Sequence, residues 1–225
     1  MQIVSVNIGP RAEQEVFGRM LTTAFVKSAV AGPIRLTRQG FAGDGHFARA
    51  EPEGTDHAVM LYATENYRFW QAELGLPPLL PGSFGEGITF DGPTEAVLRL
   101  GDVLLLGAAR IRQTAPRIPC QILARRLGQA PDFPKRFQAA RRTGIYAKVI
   151  AEGEIAAGDP IRLVESDPEA PSLAEFLNLI EADPETTTGP EAAALCRSLE
   201  TLAAHPALSR IWLRILAKRI QALAA

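Results

Sequence analysis

Apolar positions in the first two-thirds of the chain come in short runs cut by glycine and proline. Residues 2–8 and 34–37 have β character, and 58–62 is a compact apolar run. Residues 97–100 and 103–106 flank the turn signal Gly101-Asp102, which predicts two strands. Residues 108–113 alternate apolar and polar side chains as a half-exposed strand does, and 144–150 with 160–164 complete the set. Many short strands with Gly/Pro turns predict a mainly β fold with some α, a barrel or sandwich and not an alternating α/β sheet.

Two helices interrupt this pattern. Thr64 precedes residues 65–74, which Gly75 closes, a cap-to-cap helix signature. Residues 120–127, ending at Gly128, form the second. From about Pro168 alanine and leucine become dense and strand formers scarce. Residues 172–180 predict a helix, Pro190 can open another because proline is tolerated in a first turn, and 207–222 predict a third. In that last segment Leu208, Ile211, Trp212, Ile215, Leu216 and Ile220 recur at helical spacing. The expected organisation is a β domain over residues 1–166 and a small C-terminal three-helix domain over 168–225.

Charge narrows the range of partners. The net formal charge is -1, which argues against a general affinity for nucleic acid or anionic membranes. Nine basic residues between Arg110 and Arg142 face the single acid Asp132, whereas eleven acids between Glu152 and Glu191 face Arg162 alone. This describes either two solvated faces of opposite sign or a basic pocket for a small anion. No apolar stretch approaches membrane-spanning length, and the N-terminus lacks a signal-peptide pattern. Two cysteines, Cys120 and Cys196, provide no disulfide framework, so a reducing cytoplasm is the expected location.

The sharpest local feature is Pro116-Arg117-Ile118-Pro119-Cys120. The two prolines stiffen the approach to a cysteine at the start of a predicted helix. A helix N-terminus and a nearby guanidinium favour a thiolate, which is a soft metal ligand and a nucleophile. The plainer alternative is a small buried hydrophobe. Cys196, on a predicted packed helix, is expected in the core. The glycine-rich segments 40–46 and 82–88 can expose backbone N–H groups to an anion, as plain turns also do. His46 and His57 are candidate ligands, but Asp56 and His57, adjacent on a predicted strand, should point to opposite faces.

In order along the chain these pieces resemble the MOSC family, named for the C-terminal domain of molybdenum cofactor sulfurase, and its stand-alone YiiM-like branch most closely. Phe41-Ala42-Gly43-Asp44 is similar to that branch's G-x-x-GD loop, and Phe84-Gly85-Glu86-Gly87-Ile88 to its FGENL segment. Residues 113–120 resemble the strand leading into its PR-x-PC signature. Residues 144–154 with Gly158-Asp159 resemble its closing strand pair, and the tail, including Asp183-Pro184 and residues 208–212, its three-helix domain. The resemblance implies a MOSC-type β-barrel holding a molybdenum–pyranopterin cofactor, with Cys120 as metal ligand and catalytic centre. Arg117, Arg141 and Arg142 are implied partners of the cofactor phosphate, with Pro119, Gly43, Asp44, Phe84, Gly85, Glu86 and His57 around it.

The implied activity is reduction of small N-hydroxylated compounds, with electrons from a separate redox protein and a homodimer possible. Two alternatives stay open: a carrier of the cofactor or of persulfide sulfur on Cys120, and a fold that has lost its cofactor. The chain departs from the branch pattern where HGGPDRA becomes residues 52–58. Pro52 replaces the histidine, His57 the arginine, and Gly87 the asparagine of FGENL.

Overall fold

The computed structural model describes residues 1–45, 55–182 and 186–223. Among them the strands are β1 Gln2–Ile8, β2 Ala12–Val16, β3 Arg19–Thr23, β4 Ser28–Ala29, β5 Ile34–Thr37, β6 Gly40–Phe41 and β7 Val59–Ala63. They continue with β8 Ile88–Asp91, β9 Val103–Leu106, β10 Ala109–Pro116, β11 Ile145–Ala151, β12 Gly153–Ile155 and β13 Ile161–Glu165. The helices are α1 Thr64–Leu74, α2 Gln121–Arg126, α3 Phe133–Ala139, α4 Leu173–Glu181, α5 Gly189–Ala203 and α6 Arg210–Leu223.

One sheet runs β13-β9-β10-β11-β7-β8-β1-β4. Its ends meet: Ile3 N–H donates to Asp159 O at 2.9 Å, Gly158 N–H to Ile3 O at 2.8 Å, and Ile161 N–H to Met1 O at 2.9 Å. These bonds close β1 onto the chain entering β13, so the sheet is a barrel and β13 and the start of β1 present no free edge there. The fold is mainly β with α, as expected. A small sheet β12-β5-β6 and the β2-β3 hairpin flank the barrel.

The apolar run in β7 is buried on both faces, and the strand alternation divides it. Val59, Leu61 and Ala63 enter the barrel core, while Met60 and Tyr62 join an outer layer with Trp70, Phe84, Leu123, Phe133 and Phe137. Helices α1 to α3 cover that outer face. Helices α4 to α6 contribute Phe176, Leu177, Leu199, Trp212 and Leu216 to the same apolar cluster as the barrel interior. Among the described residues no helix is long and apolar enough to cross a membrane.

Several local expectations need correcting. Gly75 closes α1 in the left-handed conformation, but the N-cap is Ala63, and Thr64 Oγ1 instead donates to Asp91 Oδ1 at 3.0 Å. Residues 97–100 do not form a strand paired with 103–106: Val97 and Leu98 N–H both donate to Thr94 O in a turn, and Arg99 makes one isolated antiparallel bridge to Ser172. The third tail helix starts at Arg210, because Pro206 and Ala207 form a turn in which Leu208 N–H donates to His205 O. Cys196 is half-buried with Sγ 3.8 Å from Glu200, and so is not a core residue.

Candidate functional site

β10 ends at Pro116, opposite Ile145 on β11, and the chain then turns into α2. Arg117 N–H donates to Gly144 O at 2.9 Å. Cys120 is the N-cap of α2, with extended backbone angles. This helix has only six residues, so its dipole adds little at the thiol. The nearby charge comes from Arg117, whose Nη2 donates to Cys120 Sγ at 3.4 Å. The guanidinium is almost wholly buried, 5.6 Å from the Phe25 ring centre and 5.7 Å from that of Phe137. These cation–π contacts hold it, but its Nη1 has no protein partner. A buried donor in that state costs free energy unless something outside the chain accepts from it.

Arg117 and Cys120 line a cavity of about 190 Å3 shared with Lys27, Asp44, Gly85, Gly87 and Tyr146. Phe25, Phe41, Ile118 and Ile122 supply its apolar walls. Lys27 Nζ forms a buried ion pair with Asp44, whose other oxygen accepts from Gly9 N–H at 3.1 Å. Burial lowers the Lys27 pKa from its ordinary value, against the pull of the Asp44 charge. Burial raises the Tyr146 pKa, opposed by the Arg117 charge. Tyr146 also stacks on His57, with centroids 4.1 Å apart and planes at 12°.

The glycine loop 82–87 is held by Glu86, which is fully buried. Its carboxylate accepts from Tyr67 Oη, Gly82 N–H at 2.9 Å, Phe84 N–H at 3.2 Å and Thr89 Oγ1 at 2.6 Å. Burial pushes its pKa up and these donors oppose the shift. Gly87 faces the Phe41 ring: a Cβ there would lie 2.9 Å from it. That crowding accounts for glycine where the resemblance would place asparagine.

Of the residues named from sequence, Cys120, Arg117, Asp44 and Gly85 line the cavity. Gly43, with φ +81°, shapes the turn before Asp44. Phe84 and Glu86 are buried behind the loop, and His57 backs Tyr146. Pro119 lines a neighbouring groove with Ile118, Lys135 and Ile180. Arg141 and Arg142 lie outside the cavity. Arg141 pairs with Glu181 at 2.5 Å and donates to Asn178 at 2.7 Å, tying α3 to the tail. Arg142 bonds Glu65 at 3.0 Å and Asn66 at 2.9 Å and lies over the Phe69 ring. Asp56 and His57 sit in a turn, not on a strand, so the opposite-face argument does not apply to them. His46 and Pro52, with Asp183-Pro184 of the tail, fall outside the described residues.

Sequence reasoning missed Lys27 and Tyr146. A single charged residue in the mostly apolar segment Ala24-Phe25-Val26-Lys27-Ser28-Ala29-Val30 was the available signal.

The sequence profile of the MOSC domain matches residues 43–162, more than half of the chain. The chain belongs to the MOSC domain family. Among relatives of this MOSC protein, the uncharacterized protein YflK of Bacillus subtilis is 30% identical over 211 residues, covering 93% of this chain and 90% of YflK. The crystal structure of YiiM from Geobacillus stearothermophilus superposes with a TM-score of 0.76 at 32% identity, covering 97% of this chain and 98% of that one. The MOSC protein is therefore YiiM-like along its length, tail included. A protein of Gibberella moniliformis named a reductase is 31% identical over 158 residues, covering 69% of this chain and 28% of that longer protein.

Proposed function

We propose that this MOSC protein binds a molybdenum–pyranopterin cofactor in the Cys120 cavity and reduces small N-hydroxylated compounds with electrons from a separate redox protein. The observation that carries the reading is the buried Arg117 donor with no protein partner, on the wall of the cavity that Cys120 lines. An anionic group satisfies such a donor better than water does, because a charge-assisted bond is about twice as strong as a neutral one. The donor set fits the cofactor. Cys120 offers a thiolate suited to a soft metal, and Arg117 offers a cationic donor for a phosphate.

When bound, the cofactor supplies the two-electron chemistry that removes oxygen from nitrogen. The net conversion takes R–NHOH, two electrons and two protons to R–NH2 and water. The chain's own residues set the conditions. Phe25, Phe41 and Ile122 keep the cavity apolar, and Arg117 balances negative charge beside Cys120. Tyr146 is protonated at neutral pH, as an ordinary tyrosine is, and burial raises its pKa further.

The test is reduction of a hydroxylamine by cofactor-loaded protein with a reduced viologen as electron donor. Turnover in wild type and none in Cys120→Ala is expected. Equal turnover in the two proteins would remove Cys120 from the mechanism, and metal bound without turnover would favour a carrier.

A further inference from the structure

The segment carrying Arg117 and Cys120 begins with a peptide unit held from both sides. Its N–H, that of Arg117, donates to Gly144 O on the barrel. Its carbonyl, that of Pro116, accepts from Trp212 Nε1 of α6 at 2.8 Å in a buried bond. Both atoms belong to one planar group, so the two bonds fix its orientation and hence the direction in which the Arg117 side chain leaves the backbone. The prolines at 116 and 119 limit how far the following turn can compensate. Two further bonds bring the start of α6 to the same place. Ser209 N–H donates to Thr114 O at 3.1 Å, and Arg210 N–H to Asp56 Oδ2 at 3.0 Å. Thr114 Oγ1 also donates to Asp56 O at 2.6 Å.

Resting on the reading that this cavity is the working site, we infer that Trp212 is a positioning residue for Arg117 and Cys120, acting through its indole N–H. The ring also packs edge-on against Phe176 at 5.0 Å, which is a separate, structural contact. Trp212→Phe keeps an aromatic ring there and removes the donor, together with the volume of the indole's second ring.

The experiment uses full-length protein without cofactor and measures iodoacetamide alkylation at fixed pH, reading Cys120 and Cys196 separately by peptide mass spectrometry. Cys196 on α5 is half-buried and reports on the tail itself. The orientation of this peptide sets how the Cys120 sulfur is presented to the reagent, so Trp212→Phe should change the Cys120 rate at least about threefold, with the Cys196 rate unchanged. A Cys120 rate that stays constant, or moves only together with that of Cys196, overturns the inference.

Should Trp212→Phe fail to fold, both tryptophans can be replaced biosynthetically by benzothienylalanine, which has sulfur in place of the indole N–H. Trp70 Nε1 has no partner to lose, so the change reads Trp212 alone, with the same two outcomes. Because no cofactor is present, failure here leaves the cofactor reading standing, and failure of that reading leaves this result intact.

Discussion

Glu86, behind the glycine loop, and Arg117, on the cavity wall, are both buried and both charged at neutral pH in a free chain, yet they are treated differently. The Glu86 carboxylate takes hydrogen bonds from two backbone N–H groups and two side-chain hydroxyls. Arg117 has a thiol, the Tyr146 hydroxyl and two aromatic faces, and one terminal nitrogen goes unanswered. A buried carboxylate answered by four donors is part of the scaffold. A buried charge left short of a partner beside a cavity carries a free-energy cost that an accepting group from outside the chain would offset. Both lie in motifs that resemble the family's, so motif membership alone does not separate the two roles.

The contrast is broken most forcefully at Glu86. Glu86→Ala leaves its donors without an acceptor in a buried loop and should destabilise the protein by about 3 kcal/mol, seen in urea unfolding. A loss below about 1 kcal/mol would mean the loop is not held by this carboxylate.

Buried carboxylates also give the scaffold a pH signature. Glu95 accepts from Asn66 Nδ2 at 2.9 Å and from Gly144 N–H at 2.5 Å, and burial raises its pKa as it does that of Glu86. The folded state then keeps a proton that the unfolded chain has released. Its contribution is therefore fully present below the ordinary carboxylate value and declines as pH rises through the raised one. Glu95→Gln carries no such proton, so wild-type stability relative to this variant should fall as pH rises. A relative stability that rises with pH would reverse the assignment.

The smallest stability effect is expected at Arg117. In protein without cofactor, Arg117→Met removes a buried charge that lacks a full set of partners. The unfolding free energy should stay within about 1 kcal/mol of wild type, in contrast to Glu86→Ala. A loss of several kcal/mol would make Arg117 scaffold as well.

Much of this architecture was legible in local pattern. Gly75 marked the end of α1, the prolines at 116 and 119 marked the cysteine segment, and Ser172 with Glu175 forms a capping box that opens α4. Long-range pairing was not legible. Closure depends on Met1 and Ile3 meeting residues 158–161, which no local window contains. Helix α3 was not read from the sequence: it spans seven residues and carries Pro134 in its first turn, where proline is tolerated.

Within the site, the pull toward Arg141 and Arg142 came from a run of positive charge. Which acid answers each base is a tertiary fact: Glu181 and Glu65 lie far away in sequence. Lys27 was overlooked for the converse reason, since its partner Asp44 lies across the cavity wall in another segment.

The central claim is that Cys120 and the unanswered Arg117 donor hold a metal-bearing anionic cofactor. Molybdenum and pterin content per chain tests it most directly, in wild type, Cys120→Ala and Arg117→Met expressed in a host that makes the cofactor. Near-stoichiometric metal in wild type, none in Cys120→Ala and a strongly reduced content in Arg117→Met is the predicted result. Well-folded wild-type protein without molybdenum, or equal metal in all three, would contradict it.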